Sequence, residues 1–398
     1  MRKSICMMAV LLTSLVTVNA QNFEAPKLKA DEFTKTNVKV GADFALQYQA
    51  IEHKAKAPTE LIDIKKNINL PTANFNIAAD LAPGVQLFIN TYLSSRHHNE
   101  AWVEGGYLIM DRLPFLPAAD DIMEYFTIKA GVMMPNYGDA HFYRSNNAAV
   151  INNPFVGNWI MDAYTTNPGL EITFREKGFL GVIGANNGRM NYGSGNDFVD
   201  DLVFNWKLGY DTQINEYVRV RGAFSGYHVG DGHSGSTLWD GDRAGARYYS
   251  VMQLHDAAIP SNDTKDANFR SGRWGAGANQ IEMNSYMANL YVELYGLELF
   301  GIYETMKGKT KNSDQEFTQI AGQAIYRLGD FYLGTRLNKV DNNNGSTVSR
   351  ANFGGGWNML ETVVVKLDYV TQEYKGAAHG AIDGGKFNGV VLEAAISF

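Results

Sequence analysis

The carboxy-terminal segment 388–398 alternates strictly between two kinds of side chain. One face collects the apolar residues Val390, Leu392, Ala394, Ile396 and Phe398. The other face carries Glu393 and Ser397 among small residues. Because successive side chains of a strand point to opposite faces, this pattern predicts a β-strand with one apolar side. About ten such residues are enough to cross a bilayer. A strand that crosses a bilayer must belong to a closed barrel, since no water is present there to pair an open edge.

The amino terminus has the organisation of a secretory signal peptide. Arg2 and Lys3 form a positive start, the segment 5–18 is mostly apolar, and a small-residue site ends at Ala20. We therefore expect cleavage after Ala20 and a secreted mature chain. Cys6 is the one cysteine, so the mature chain would have no thiol for a disulfide or a thiolate metal site. No later stretch reaches the roughly 18 apolar residues of a transmembrane helix.

The alternating pattern recurs through the rest of the chain. In 38–50 the apolar residues at even positions oppose Lys39, Asp43 and Gln47. Similar alternation occupies 73–81, 126–132, 170–175, 202–211, 218–225, 290–294 and 363–372. A composition of 12% aromatic residues, 40 Gly and only 10 Pro suits many short strands joined by glycine-rich loops. The net charge of −7 argues against a nucleic-acid partner, which usually meets a basic face.

Short and long connections alternate between these segments. We predict short turns near 82–84, 177, 212–214, 296, 329 and 360, with a longer one at 113–121. We predict long polar loops at 51–71, 96–100, 135–166, 188–199, 230–280, 308–315, 341–349 and 375–387. Short periplasmic turns and long extracellular loops are typical of outer-membrane barrels. The sequence therefore predicts an all-β, transmembrane antiparallel barrel over 38–398, with about 16 strands, or 18 as the alternative, after a periplasmic lead-in at 21–37.

With its signal peptide, its strand number, a long third loop and the terminal Phe398, the chain resembles a bacterial outer-membrane porin. Within porins it is most similar to the phosphate-selective porin O and P type, in size and in the segment Ile-Lys-Ala-Gly-Val-Met-Met-Pro at 128–135. The resemblance implies a water-filled channel for passive diffusion of small hydrophilic solutes or ions. It also implies a homotrimer in the outer membrane of a Gram-negative bacterium, in contact with lipid and lipopolysaccharide, and insertion by the barrel assembly machinery through the last strand. The chain has no lysine-rich run, so anion selectivity is not carried over.

The third loop, about 135–166, is long and rich in aromatic residues. In porins this loop folds inward and narrows the pore, and the resemblance implies the same here. We expect the charged side chains of the constriction to face water: Asp139, His141, Arg144 and Asp162. The alternative is an exposed loop packed on its neighbours.

Charged residues on the polar strand faces are candidates for the lumen. They are Lys129, Arg175, Lys207, Arg219, Arg221, Glu293, Arg327, Arg336, Lys366 and Glu393. Acidic and basic candidates are balanced, which predicts weak selectivity or a transverse field. Arg219 and Arg221 lie two apart on one strand and point to the same side, so they form a basic ladder with Lys207 and Arg175 in one interpretation. In the other, these cations pair with neighbouring carboxylates.

Other functions were weighed against the diffusion channel. A selective uptake channel for an oxyanion or an oligosaccharide would need a binding track, which could begin at the aromatic residues Tyr125, Tyr291 and Tyr332. A barrel-based surface enzyme or adhesin and a soluble β-rich protein are further alternatives. The chain has no nucleophile elbow, H-E-x-x-H or P-loop motif, so no catalytic residue is predicted. His228, Asp231 and His233 have suitable metal-ligand chemistry, but a polar loop is the more common interpretation, and no metal or cofactor is predicted.

Overall fold

A computed structural model describes residues 21–93, 101–145, 150–190, 202–231, 233, 235–239, 247–255, 272–274 and 280–398. The predicted signal peptide, 1–20, lies outside these residues. Within the described part of the chain, sixteen strands form. They are β1 (Asn37–Lys54), β2 (Asn67–Ala82), β3 (Val85–Leu93), β4 (Ala101–Met110), β5 (Phe126–Met133), β6 (Asn167–Glu176), β7 (Phe179–Asn186), β8 (Val203–Asn215), β9 (Val218–Val229), β10 (Glu282–Leu294), β11 (Leu297–Lys309), β12 (Asp314–Leu328), β13 (Phe331–Asn342), β14 (Thr347–Leu360), β15 (Val363–Lys375) and β16 (Lys386–Ser397).

Helical structure among the described residues is limited to short pieces in the connections. Single 3₁₀ turns or short 3₁₀ segments lie at Ala30–Glu32, Pro117–Ala119, Ala140–Tyr143 and Ala377–Ile382, and one α-helical turn lies at Asp120–Met123. No helix in the described ranges has the length and apolar character to pass through a lipid bilayer.

The strands close into one antiparallel barrel in which each strand pairs with its sequence neighbours and β1 pairs with β16. The prediction of an antiparallel barrel of about 16 strands is therefore confirmed. At the closing seam, the Phe398 N–H donates to the Ala42 carbonyl (3.1 Å), and the Ala42 N–H donates to the Phe398 carbonyl (2.9 Å). The terminal residue thus completes the ladder and leaves no unpaired edge at this point.

The two faces of the barrel wall differ in the way that the alternation predicts. On β16, Val391, Glu393 and Ala395 are fully buried inside, whereas Leu392 is 44% exposed on the outer face. The other strands repeat the pattern with aliphatic and aromatic residues outside. Several aromatic residues at strand ends, such as Phe179 and Phe331, lie on this outer face, as in the girdles of transmembrane barrels.

Connections of two residues alternate with longer ones around the barrel, except that the connection in the short series between β4 and β5 is also long, at 111–125. The turns Lys177–Gly178 and Tyr295–Gly296 have positive φ at both residues, which fits the turn type that matches the twist of a hairpin. The turn predicted at 212–214 is wrong, because β8 continues to Asn215 and the chain reverses after it. Asp211 and Gln213 are polar, as turn residues are, but they pair in register with Arg221 and Arg219 of β9.

The closing seam allows a test of the barrel. A side chain added at Gly41 would collide with the backbone carbonyl of Phe398, while one added at Gly322 on β12 meets nothing within 4 Å. We expect Gly41→Ala to destabilise the barrel by about 1–3 kcal/mol through overpacking, and Gly322→Ala to behave like the unmodified protein. The measurement is an unfolding curve: each refolded variant is incubated at increasing urea concentrations, and the folded fraction is determined from its heat-modifiable gel mobility. Equal midpoints for the two variants would contradict the seam geometry.

Candidate functional site: the barrel interior

The described part of the third loop lies against the inner wall of the barrel. Its backbone N–H groups donate to polar side chains of the strands: Asp139 to Asn289 (2.8 Å) and Ile160 to Asn338 (2.7 Å). Further acceptors of this kind are Glu171, Gln319 and Asp368. Buried backbone groups need partners, and here the strands supply them, so the described parts of the loop are fixed at several points.

The middle of the loop fills the centre of the lumen. Trp159 is only 1% exposed, and its indole N–H donates to the Ala140 carbonyl (3.2 Å). The guanidinium of Arg336, on β13, lies 4.1 Å from the Trp159 ring centroid and donates to the Gly157 carbonyl (2.7 Å). Phe300, on β11, packs 6.0 Å from the same ring. The loop and the strands therefore pack closely against each other at this level.

The connection between β9 and β10 also enters the interior. Among its described residues, Tyr248 is fully buried and its hydroxyl accepts a hydrogen bond from Asn352 (2.9 Å). The Gly272 carbonyl accepts from Arg350 (2.8 Å), and the Trp274 N–H donates to the Ile160 carbonyl (3.1 Å). Two loops therefore share the lumen and contact each other there.

A charge cluster joins this interior to β8 and β9. The Lys207 ammonium lies 2.9 Å from Asp139 and 3.2 Å from Glu24. The Arg221 guanidinium pairs with the same two carboxylates, each at 2.8 Å. Arg219 pairs with Asp211 at 2.7 Å. We name Glu24, Asp139, Lys207, Asp211, Arg219 and Arg221 the charge cluster; its three cations and three carboxylates balance.

The segment that supplies Glu24 enters the barrel from the turn side. Phe23 packs edge-on against Tyr291 (5.3 Å between centroids), and Arg221 lies 4.3 Å from the Phe23 ring. The backbone of the segment is also held: Arg219 donates to the Gln21 carbonyl (2.9 Å) and Arg175 to the Ala25 carbonyl (2.8 Å). We name residues 21–25 the N-terminal segment; it lies beneath the third loop and contacts it.

The ionisation of Glu24 follows from its neighbours. Burial on its own would raise its pKa, but Lys207 and Arg221 outweigh burial and lower the pKa from 4.5 to about 2. Because the pKa of Glu24 is lower in the docked segment than in a free one, its ionisation stabilises the docked segment at pH values above 4.5. This stabilisation is lost as the pH falls through about 2. Burial lowers the pKa of His141 to about 3, with a further effect of Lys207, so this imidazole is neutral at physiological pH.

A second group of buried charges lies on the opposite part of the wall. Lys366 is 3.0 Å from Glu393 and donates to the Val150 carbonyl (2.7 Å). Arg247, from the connection between β9 and β10, pairs with the other carboxylate oxygen of Glu393. Glu393 therefore compensates two buried cations from different parts of the chain.

The remaining predicted lumen residues also find partners inside the barrel. Arg327 pairs with Glu298 (2.5 Å). Lys129 lies 4.1 Å from the ring centroid of Tyr107, and the Tyr291 hydroxyl donates to Glu293 (3.4 Å).

The structure differs from the expectation that the charged groups of the third loop face water. Asp139 and Arg144 are each 1% exposed, and Asp162 and His141 are also buried. Arg144 pairs with Asp162 (2.8 Å) within the loop itself. The difference has a physical reason: burial of these charges is tolerated because each ion has a partner of opposite sign.

The structure brings Lys207, Arg219 and Arg221 together, but as members of ion pairs. Arg175 lies nearby and contacts only a carbonyl of the N-terminal segment among the partners described for its guanidinium. The sequence left two interpretations of these cations open, a free basic ladder and pairing with neighbouring carboxylates. The geometry agrees with the pairing for Lys207, Arg219 and Arg221.

Two parts of the site were missed by reasoning from the sequence. Glu24 lies in a segment without periodicity, and nothing near it points to Lys207, which is far away along the chain. The amide side chains of the lumen, in contrast, have a visible signal in the sequence. They occupy the inward positions of strands in which apolar and polar residues alternate. They include Asn289, Gln319, Gln323, Asn338, Asn352 and Gln372.

The histidines considered for metal binding have other partners. His228 accepts a hydrogen bond from the Trp206 indole (2.9 Å) and contacts Asn284 (2.8 Å). The His233 ring contacts the Asn187 carbonyl (3.1 Å). Among the residues that the structure describes, no group of three potential ligands is placed to hold a metal ion.

Comparison with known proteins finds similarity at the level of structure. No family model matches the chain, and no curated protein matches it in sequence. The anion-selective porin from Comamonas acidovorans is 11% identical, with a TM-score of 0.52 over 92% of this chain and 100% of that one. The outer membrane channel DcaP of Acinetobacter baumannii is 11% identical, with a TM-score of 0.52 over 94% and 99%. OmpT of Vibrio cholerae, an outer membrane protein in a trimer form, is 9% identical, with a TM-score of 0.52 over 92% and 100%. At these identities the likeness establishes the fold: the chain has a porin-type architecture.

Proposed function

We propose that the protein is an outer-membrane channel for small hydrophilic solutes or ions. The observation that carries the proposal is the inner face of the barrel, where nearly every strand presents charged or amide side chains among apolar ones, behind an apolar outer wall. Such a wall places a polar path across the apolar layer of a bilayer. Solved barrels of similar fold include proteins described as a porin and as a channel, which supports the proposal.

The third loop would be the constriction of this channel. It contacts strands on several sides of the barrel through Asn289, Asn338 and Asp368, and it brings Asp139, His141, Arg144 and Asp162 into the interior. Because hydrogen bonds fix the described parts of the loop to the strands, the width of the path depends on the packing of the loop. A homotrimer in the outer membrane of a Gram-negative bacterium agrees with the trimer form of OmpT from Vibrio cholerae.

A selective uptake channel is the second candidate function. The packing of Trp159, Tyr248 and Phe300 at the centre of the lumen favours it, because a narrow path passes solutes according to size and chemistry. The charge cluster would then contact the solute on its way.

Liposome swelling tests the two candidates. The refolded protein is inserted into vesicles, and influx of glycerol, arabinose, glucose and sucrose is followed by turbidity. A diffusion channel gives rates that fall smoothly with solute size, while a selective channel passes one solute out of order. No swelling with any of these solutes, from protein that shows heat-modifiable mobility, would contradict a channel for neutral hydrophilic solutes.

A further inference from the structure

The Glu24 carboxylate is placed as a ligand rather than as part of the barrel framework. It belongs to neither a strand nor a loop tied at both ends by strands, yet it makes two ion pairs in the interior, with Lys207 and Arg221. The side chains of these two cations are at most 4% exposed. Ala25, the residue that follows Glu24 in the chain, is exposed. The N-terminal segment thus carries one carboxylate into a site built by β8 and β9.

The two cations of the site also have partners outside the N-terminal segment. Lys207 also donates to the Gly138 carbonyl (2.6 Å) and to Asp139, and Arg221 is also held by Asp139. The geometry of the two cations is therefore fixed by the third loop. Withdrawal of Glu24 changes the charge of the cluster, since three cations then face only the two carboxylates Asp139 and Asp211.

The surroundings do not replace the lost charge. Glu171 lies close enough to interact with Lys207, but it also interacts with Lys129. Arg175 loses its contact with the Ala25 carbonyl when the segment withdraws. A buried cation without compensation is costly, so withdrawal of Glu24 is favourable only when another anion takes its place.

We propose that the N-terminal segment is a removable plug, and that its Glu24 carboxylate occupies a binding site at Lys207 and Arg221 for a soluble carboxylate or a similar small oxyanion. This inference rests on the proposed channel function. Arg221 presents a planar guanidinium that binds carboxylates through two N–H groups, and Lys207 adds a point charge beside it. Phe23 narrows the path at this level, because its ring fills the space between Arg221 and Tyr291.

The test uses the full-length, refolded protein in planar bilayers in a potassium chloride gradient. Glu24→Gln removes the charge of the plug, and Phe23→Ala removes its bulk while leaving the charge in place. Glu32→Gln is the matched control, because Glu32 is exposed on the same lead-in and pairs only with Lys29 among the described residues. Heat-modifiable mobility confirms folding of each variant.

We expect Glu24→Gln to raise the permeability to anions by about fivefold and to lower that to cations by a similar factor, which is the effect of one unbalanced unit charge some 4 Å from an aqueous path. Its chloride current should fall when succinate is added, whereas the wild-type and Glu32→Gln currents should change little. Phe23→Ala should raise conductance with a smaller change in selectivity. If Glu24→Gln and Phe23→Ala conduct with the conductance, selectivity and succinate response of the wild type, the plug is refuted while the channel function stands. Folded protein that gives no current in any of the four forms overturns the channel function and the plug together.

Discussion

Replacing Asp139 with Asn is expected to destabilise the folded barrel by about 3–5 kcal/mol. The carboxylate is 1% exposed and compensates the buried cations Lys207 and Arg221 at 2.9 and 2.8 Å. Removal of one partner leaves an uncompensated charge inside, which costs more than the ion pair contributed. Unlike Glu24, Asp139 lies in a loop fixed by strands on both sides, so the site cannot relax by releasing the residue.

The measurement is urea unfolding of the protein in lipid vesicles, followed by tryptophan fluorescence. Asp121→Asn serves as the control, because Asp121 is exposed in a short helical turn between β4 and β5. An unfolding midpoint for Asp139→Asn equal to that of Asp121→Asn would show that the charge cluster does not stabilise the interior.

Trp159→Ala should have the second large effect, in two respects. The side chain is among the largest that are fully buried, and its truncation is expected to cost about 3–5 kcal/mol through lost packing and the cavity that remains. The cavity would lie at the centre of the lumen, between Arg336 and Phe300. Because Arg336 and the neighbouring backbone are polar, water can enter it, and single-channel conductance should increase.

Trp357→Ala is the matched control for conductance. Trp357 is 42% exposed on the outer face of β14, where it stacks on Phe331, and its removal leaves the lumen unchanged. Both variants lose one tryptophan, so the comparison isolates its position. Equal conductance in the two variants would contradict a path that passes the third loop.

The fold could be predicted in detail because its signal is local. The alternation along β16 is visible in Val390, Leu392 and their neighbours alone. Once the register of a strand is known, the face to which each of its side chains points is known as well. The lengths of the connections show which strands are hairpin partners. The error at 212–214 arose where the local signal is ambiguous, since Asp211 and Gln213 are polar residues of a strand and look like residues of a turn.

The interior could be predicted only in part, because its partners are distant in sequence. Lys207, Arg221 and Glu393 were identified as lumen residues from their strand positions. Their partners Asp139, Glu24 and Arg247 lie in three separate segments without periodicity. The pairing of cations with carboxylates depends on the path of each loop inside the barrel. The spacing of residues in the sequence does not predict that path.

The burial of Asp162 and Arg144 has the same origin. A charged residue in a long loop is usually solvated, and the aromatic content of this loop predicts contact with the barrel wall without indicating which charged residues it covers. In the structure both side chains are buried, Arg144 lies over the Tyr164 ring, and the two charges pair at 2.8 Å. Burial was therefore a property of the assembled lumen rather than of the loop.

Current recordings across a planar bilayer test the central claim most directly. The folded, heat-modifiable wild-type protein is added to one side, and single-channel steps and the reversal potential are recorded in a potassium chloride gradient. The channel predicts discrete steps of reproducible size and only weak ion selectivity, because the charge cluster is balanced. Complete absence of steps from folded wild-type protein and from its Trp159→Ala variant would contradict a conducting path through this barrel.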